Sequence, residues 1–132
     1  VVLTPHLQEM TRLTRFELPL IRARIVDQAL LALECANGQT LVLKDARTVV
    51  TDGGEVYINT IGNNALSTGG TGDVLTGMIA GLLAQGMRPK RAAVLAVCLH
   101  GIAADEYVRD RGGRYSMIAS DLLDMLPQIL PK

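Results

Sequence analysis

The chain has two cysteines, one phenylalanine, three tyrosines, no tryptophan and no formal net charge. Each shortage excludes a class of function. Thirteen basic residues balance thirteen acidic ones, so the surface has no overall basic footprint. The four rings, Phe16, Tyr57, Tyr107 and Tyr115, are too scattered to form a stacking platform. Nucleic acid is therefore excluded as the main partner. The one basic gathering, Arg109, Arg111 and Arg114, reads as a solvated loop. Cys35 and Cys98 lie far apart in apolar helical stretches, with no metal-ligand spacing, and read as buried free thiols of a reducing cytoplasm. No apolar run approaches the roughly 20 residues that span a bilayer, and the N-terminus lacks the order of a signal peptide. The sequence opens on Val1-Val2-Leu3 without methionine, which suggests a start inside a larger protein or a processed end.

What is present suits one globular domain: 132 residues, 48% of them hydrophobic. No internal repeat, low-complexity stretch or second domain is visible. Val1 to Leu3 read as the end of a buried strand. Thr4-Pro5 then offer an N-cap and a first-turn proline for a short helix over residues 7–13. Ile21, Ile25, Leu30 and Leu33 recur near helical spacing, which predicts a helix over residues 20–36 with Asn37-Gly38 as its stop. Residues 41–43 and 48–50 read as strands, Asp52-Gly53-Gly54 as a turn, and Val56-Tyr57-Ile58 as the return strand of a hairpin.

The second half reads as helices. Val74, Leu75, Met78, Ile79, Leu82 and Leu83 follow helical spacing, while Gly77, Ala80, Gly81 and Ala84 make another face small. Two interior glycines, each costing about 1 kcal/mol relative to alanine, predict a closely packed neighbour. The alanines of the next helix, Ala92, Ala93, Ala96, Ala103 and Ala104, are the candidate, in a tight hairpin broken at Gly86 and restarted by Pro89. That helix runs to about Asp110. A last helix spans residues 120–126, capped by Ser120 or Asp121 and closed by Pro127. Strands mixed with helices imply a layered α/β domain, in which ligands gather at strand ends and helix starts.

The richest segment is Thr68-Gly69-Gly70-Thr71-Gly72-Asp73-Val74-Leu75-Thr76-Gly77. A glycine turn into a helix exposes backbone N–H groups at the positive end of the helix dipole, so Gly69, Gly70, Thr71 and Gly72 suit phosphate. Asp73 is an awkward neighbour for an anion unless it handles the proton of a group that reacts with the phosphate. Phosphoryl transfer to a hydroxyl is the chemistry this pattern supports. The segment lacks the Gly-Lys-Ser/Thr ending of a P-loop and the third glycine of a dinucleotide fingerprint. A bare N-cap role for Asp73 leaves three glycines and two threonines unexplained.

Two further places carry polar groups. His6 and Glu9, one turn apart near a helix start, suit a polar substrate or a magnesium ion held through water, though a solvated helix face is the simpler reading. Lys44 ends a strand, and Asp45-Ala46-Arg47-Thr48 makes a polar turn whose N–H groups and Thr48 hydroxyl suit a nucleotide, with Lys44 or Arg47 toward phosphate.

Taken in order, Thr4-Pro5-His6-x-x-Glu9, Leu43-Lys44-x-Ala46-x-Thr48, Gly62-Asn63 and the glycine segment resemble the ADP/ATP-dependent NAD(P)H-hydrate dehydratases. These are the carbohydrate-kinase-like YjeF domains of the ribokinase-like superfamily. Gly81-Leu82-Leu83-Ala84-Gln85-Gly86, Ala92-Ala93, Leu99-His100-Gly101 and Ala119-Ser120-Asp121-Leu122-Leu123 extend the resemblance over nearly the whole chain. It implies a ribokinase-like layered α/β/α fold, this chain being the C-terminal portion, with a β-hairpin and a glycine-loop-to-helix anion hole. It also implies nucleotide-dependent phosphorylation of hydrated NADH or NADPH and loss of phosphate to restore the ring. On that basis Asp73 is the base on the hydroxyl, helped by Gly70 and Gly72. His6 and Asp73 meet the substrate, and Lys44, Asp45, Ala46, Arg47, Thr48 and Gly72 meet ADP or ATP. Glu9 belongs to the Mg²⁺ network, and the partners expected are a second copy of the chain and an epimerase domain, fused or separate.

Three departures stand out: Asp45 where the family usually has glycine, Leu7-Gln8 where Pro-Gly follows the histidine, and Asn64-Ala65 near a usual Pro-Gly pair. The family domain is also longer, and its N-terminal half supplies part of the sheet and further substrate contacts. A ribokinase-like vitamin-precursor kinase and a noncatalytic nucleotide-binding module are the other readings. His6 speaks against the kinases, which usually carry asparagine after Thr-Pro.

Overall fold

A computed structural model describes residues 1–27, 29 and 39–131. Its contacts divide the chain into two compact units, one of Val1–Thr60 with Arg88–Val94, the other of Ile61–Met87 with Leu95–Lys132.

The first unit is built on a four-stranded sheet in the order β1-β2-β3-β4. The strands are β1 (Val2–Leu3), β2 (Thr40–Leu43), β3 (Val49–Thr51) and β4 (Val56–Ile58). β1 runs parallel to β2, with Leu3 opposite Leu41, and β2 to β4 form an antiparallel meander with Val42 opposite Val50 and Val50 opposite Tyr57. Both faces of β2 and β3 are buried, as expected of short apolar strands without polar alternation. Leu41, Leu43 and Val49 join Leu7, Met10 and Ile21 in one cluster.

Helix α1 (Leu7–Thr14) presents Leu7 and Met10 to that cluster. It ends at Arg15, whose left-handed φ of 61° lets its N–H reach the Thr11 carbonyl at 2.9 Å. Its cap differs from the Thr4-Pro5 expectation. The chain keeps strand-like geometry through His6, which bridges Lys44 in parallel while the Lys44 N–H donates to the Pro5 carbonyl at 2.8 Å. Pro5 therefore precedes the helix, and His6 caps it.

Helix α2 (Leu18–Ala23) starts two residues before the expected helix and breaks at Arg24, with φ −134° and ψ 53°. Residues 25–27 and 29 are helical again. The remainder of the expected helix, with Leu30, Leu33, Cys35 and Asn37-Gly38, lies outside the described residues. The hairpin strands fall within one residue of expectation.

The second unit contains a short 3₁₀ turn (Asn64–Ser67), helix α3 (Thr71–Ala84), most of helix α4 (Pro89–Arg111) and helix α5 (Ala119–Ile129). Its core gathers Ala65, Ala103, Ala104, Tyr107, Met117, Leu122 and Met125. α3 packs against α5 and buries Thr71, Leu75 and Ile79, one stripe at intervals of four. The small face does not have the close neighbour that was expected. Gly77, Ala80, Gly81 and Ala84 are exposed, and among the described residues a Cβ at Gly77 or Gly81 would meet nothing within 4 Å. The alanines of α4 are buried instead among larger side chains, Ala103 and Ala104 beside Tyr107 and Met117.

Two other expectations change. Arg109 and Arg111 stand on α4 rather than in a loop; Arg109 pairs with Glu106, and Arg111 lies 3.5 Å from Asp121 and 5.4 Å from the Tyr107 ring centre. Pro127 does not close the last helix but lies inside it. The carbonyl that loses a partner there is that of Leu123, an exposed residue. Asp121 does contribute to the start of α5, accepting the Ile118 N–H at 2.8 Å.

Candidate active site

In the first unit the sheet brings His6 and Lys44 side by side at the ends of two parallel strands. His6 Nδ1 accepts the Glu9 N–H at 3.1 Å, and the Glu9 carboxylate accepts the His6 N–H at 2.9 Å. This reciprocal pair is a capping box with imidazole in the usual hydroxyl position. His6 Nε2 also lies 3.4 Å from Glu9 Oε1. The bond from the His6 backbone, aided by His6, Lys44 and Arg12, holds the Glu9 carboxyl below its ordinary range. One carboxylate oxygen is thus committed to the cap and the other faces the ring, so Glu9 suits magnesium only through water. Among the described residues no group of three acidic, histidine or cysteine side chains could hold a metal ion.

Residues 44–48 form the five-residue turn between β2 and β3, fixed where the Thr48 hydroxyl donates to the Asp45 carbonyl at 3.3 Å and the Thr48 carbonyl accepts the Asn59 N–H at 2.9 Å. Asp45, Ala46 and Arg47 are exposed.

In the second unit Gly70, with φ 89°, caps α3. A side chain there would be strained by that φ, and its Cβ would lie 3.1 Å from the Ala119 Cβ. Thr71 turns its hydroxyl inward, donating to the carbonyls of Leu66 at 2.7 Å and Thr68 at 2.9 Å. The Asp73 N–H is used by the Gly70 carbonyl at 3.1 Å, whereas among the described residues the N–H groups of Gly69, Gly70 and Gly72 have no protein acceptor. Asp73 itself is exposed in the first turn of the helix. Free N–H groups, a helix start and an exposed carboxylate are the parts that phosphoryl transfer to a hydroxyl requires.

Three residues that sequence reasoning gave no role support this loop. The Asp105 carboxylate accepts the Gly62 N–H at 3.1 Å and the Asn63 side-chain amide at 2.8 Å. Gly101 is buried under Ile61, and His100 Nε2 lies 2.9 Å from the Thr71 carbonyl oxygen. The motifs Gly62-Asn63 and His100-Gly101 were visible, but nothing in the sequence joined them.

The family model for NAD(P)H-hydrate dehydratase matches residues 1–128. The chain belongs to the NAD(P)H-hydrate dehydratase family. It is 49% identical over 134 residues to the bifunctional NAD(P)H-hydrate repair enzyme Nnr of Moorella thermoacetica, covering 98% of this chain and 24% of that protein. Among solved structures, the ADP/ATP-dependent NAD(P)H-hydrate dehydratase of Bacillus subtilis, crystallised with ATP and Mg²⁺, superposes with a TM-score of 0.89 at 36% identity, over 97% of this chain and 46% of that one. A ribokinase-like superfamily protein of Enterococcus faecalis gives a TM-score of 0.81 at 34% identity, over 97% and 43%. The mixed α/β fold is thus shared with ribokinase-like proteins. The chain spans between about a quarter and a half of the length of these dehydratase-family relatives.

Proposed function

We propose that this chain is part of an ADP- or ATP-dependent NAD(P)H-hydrate dehydratase that returns hydrated NADH or NADPH to the reduced cofactor. The match to that family over residues 1–128 carries the reading. The exposed Asp73 beside three free backbone N–H groups supports it. Asp73 takes the proton of the substrate hydroxyl as its oxygen attacks the terminal phosphoryl group of the nucleotide, whose bridging P–O bond breaks to release AMP from ADP or ADP from ATP. The N–H groups of Gly69, Gly70 and Gly72 hold the phosphoryl oxygens at the helix start, while Thr71, whose N–H donates to the Thr68 carbonyl at 3.3 Å, ties the loop between them. Phosphate then leaves with the carbon–oxygen electron pair, and loss of a proton from the adjacent carbon restores the ring double bond.

His6 contacts the substrate, while Lys44, Asp45, Ala46, Arg47 and Thr48, with Gly72, contact the nucleotide. Mg²⁺ neutralises phosphate charge when bound, with Glu9 touching it only through water. A cytoplasmic homo-oligomer fused to or working with an epimerase domain completes the proposal, and the word bifunctional in the name of the Moorella relative supports the fusion.

The test is the nucleotide-dependent return of nicotinamide absorbance from hydrated NADH by the intact protein. Asp73→Asn should lower that rate about 10³-fold, within the usual range for a general base. An intact protein that binds nucleotide without restoring absorbance, or an Asp73→Asn variant at full rate, would sink the assignment.

A further inference from the structure

The glycine loop is held from outside by one segment of α4. His100 is 7% exposed, and its Nε2 lies 2.9 Å from the Thr71 carbonyl. A carbonyl only accepts, so the imidazole is the donor. Thr71 is the first residue of α3, with Gly70 and Gly72 on either side. Its hydroxyl is already spent on Leu66 and Thr68, so the residue is tied by both its side chain and its carbonyl.

At the other end of the loop, Gly101 lets the backbone of Ile61 lie directly against α4. A Cβ at Gly101 would sit 2.5 Å from the Ile61 carbonyl oxygen. One turn on, Asp105 holds the Gly62 N–H and the Asn63 amide. Residues 100–105 therefore grip segment 61–71 at both ends.

We propose that residues 100–105 are the positioning platform of the anion hole, with His100 acting on Gly70, Gly72 and Asp73 through the Thr71 carbonyl. The proposal rests on the dehydratase reading for its catalytic consequence, but not for its structural one. Donors aimed at a transferring phosphoryl group are effective only if fixed before the charge develops. A helix start held solely by its own glycines would not be fixed in this way.

The test uses the intact protein with His100→Leu, His100→Gln and Asp105→Ala. His100→Leu should lower kcat about tenfold with little change in KM for nucleotide, because misplacement harms the transition state more than ground-state binding. His100→Gln, whose amide can reach the same carbonyl, should recover most of that loss. Asp105→Ala, at an exposed position, should cost less and serves if His100→Leu does not fold. Amide hydrogen exchange provides a readout independent of activity. His100→Leu should speed exchange over residues 68–73 and Asp105→Ala over residues 61–64, with residues 40–51 unchanged in both. A folded His100→Leu variant with wild-type kcat and exchange overturns the proposal. So does a Gln variant as impaired as Leu, or an Asp105→Ala variant without faster loop exchange. A wild-type protein without dehydratase activity defeats the functional reading alone, since exchange still decides the platform.

Discussion

The two units hold their candidate site residues by different means. In the first, His6 and Glu9 fasten each other across three positions of sequence. The Asp52 turn has its own local bond to Gly54 at 3.1 Å and a longer-range ion pair with Lys90 at 3.1 Å. In the second, the partners of the glycine loop come from far along the chain: 29 positions separate His100 from Thr71, and 43 separate Asp105 from Gly62. A local device forms as soon as its helix turn forms. A remote one exists only when α4 has packed, so the geometry of the glycine loop depends on tertiary structure.

The sharpest way to break the contrast is at the cap of α3. Gly70→Ala places a side chain at φ 89° and 3.1 Å from the Ala119 Cβ. It should cost about 1–2 kcal/mol in denaturant unfolding and lower turnover as well. The matching change in the first unit, His6→Ala, removes one side of a capping box. It should cost about 1 kcal/mol, with faster amide exchange confined to the start of α1.

Acid offers a milder comparison. The Glu9 carboxyl is held low first by the His6 backbone, and that of Asp52 first by the Lys90 ammonium. A depressed carboxyl contributes stability that is present above its unfolded-state value and is lost as pH falls through its lower folded-state value. Both contributions should therefore be intact at neutral pH and fade as the solution drops below about pH 4. Exchange at the start of α1 and at the Asp52 turn, followed through that range, checks it.

The smallest effect expected is at Asp45. If the turn of residues 44–48 meets the nucleotide as proposed, the exposed Asp45 carboxylate would repel its phosphate, so Asp45→Gly should tighten ADP or ATP binding about two- to fivefold, as befits solvent-screened charge. Calorimetric titration of the intact protein checks it.

These contrasts also explain what could be read in advance. The turn-to-helix segment around Gly70 and Asp73 declared itself because its chemistry is contiguous. So did the hairpin around Asp52-Gly53-Gly54. The cap of α1 was misplaced onto Thr4 because a parallel pairing with residues some forty positions away keeps the chain extended through His6. The small face of α3 was misjudged because glycine and alanine spacing reports that a helix has a bare side, not whether anything covers it. Pro127 was read as a stop, yet the carbonyl it deprives belongs to an exposed residue, so the helix continues to Ile129. His100 stood out only as part of the Leu99-His100-Gly101 motif, and Asp105 had no signature beyond its residue type. Their meaning lies in partners that only the folded chain supplies.

The His6 cap also fixes which tautomer the ring presents. Because Nδ1 is the acceptor for the Glu9 N–H, the neutral ring must carry its proton on Nε2. That edge presents a donor rather than a lone pair, with Glu9 Oε1 3.4 Å from it. His6 in this state is suited to recognising a carbonyl, hydroxyl or phosphate oxygen. It can serve as an orienting group for a polar ligand.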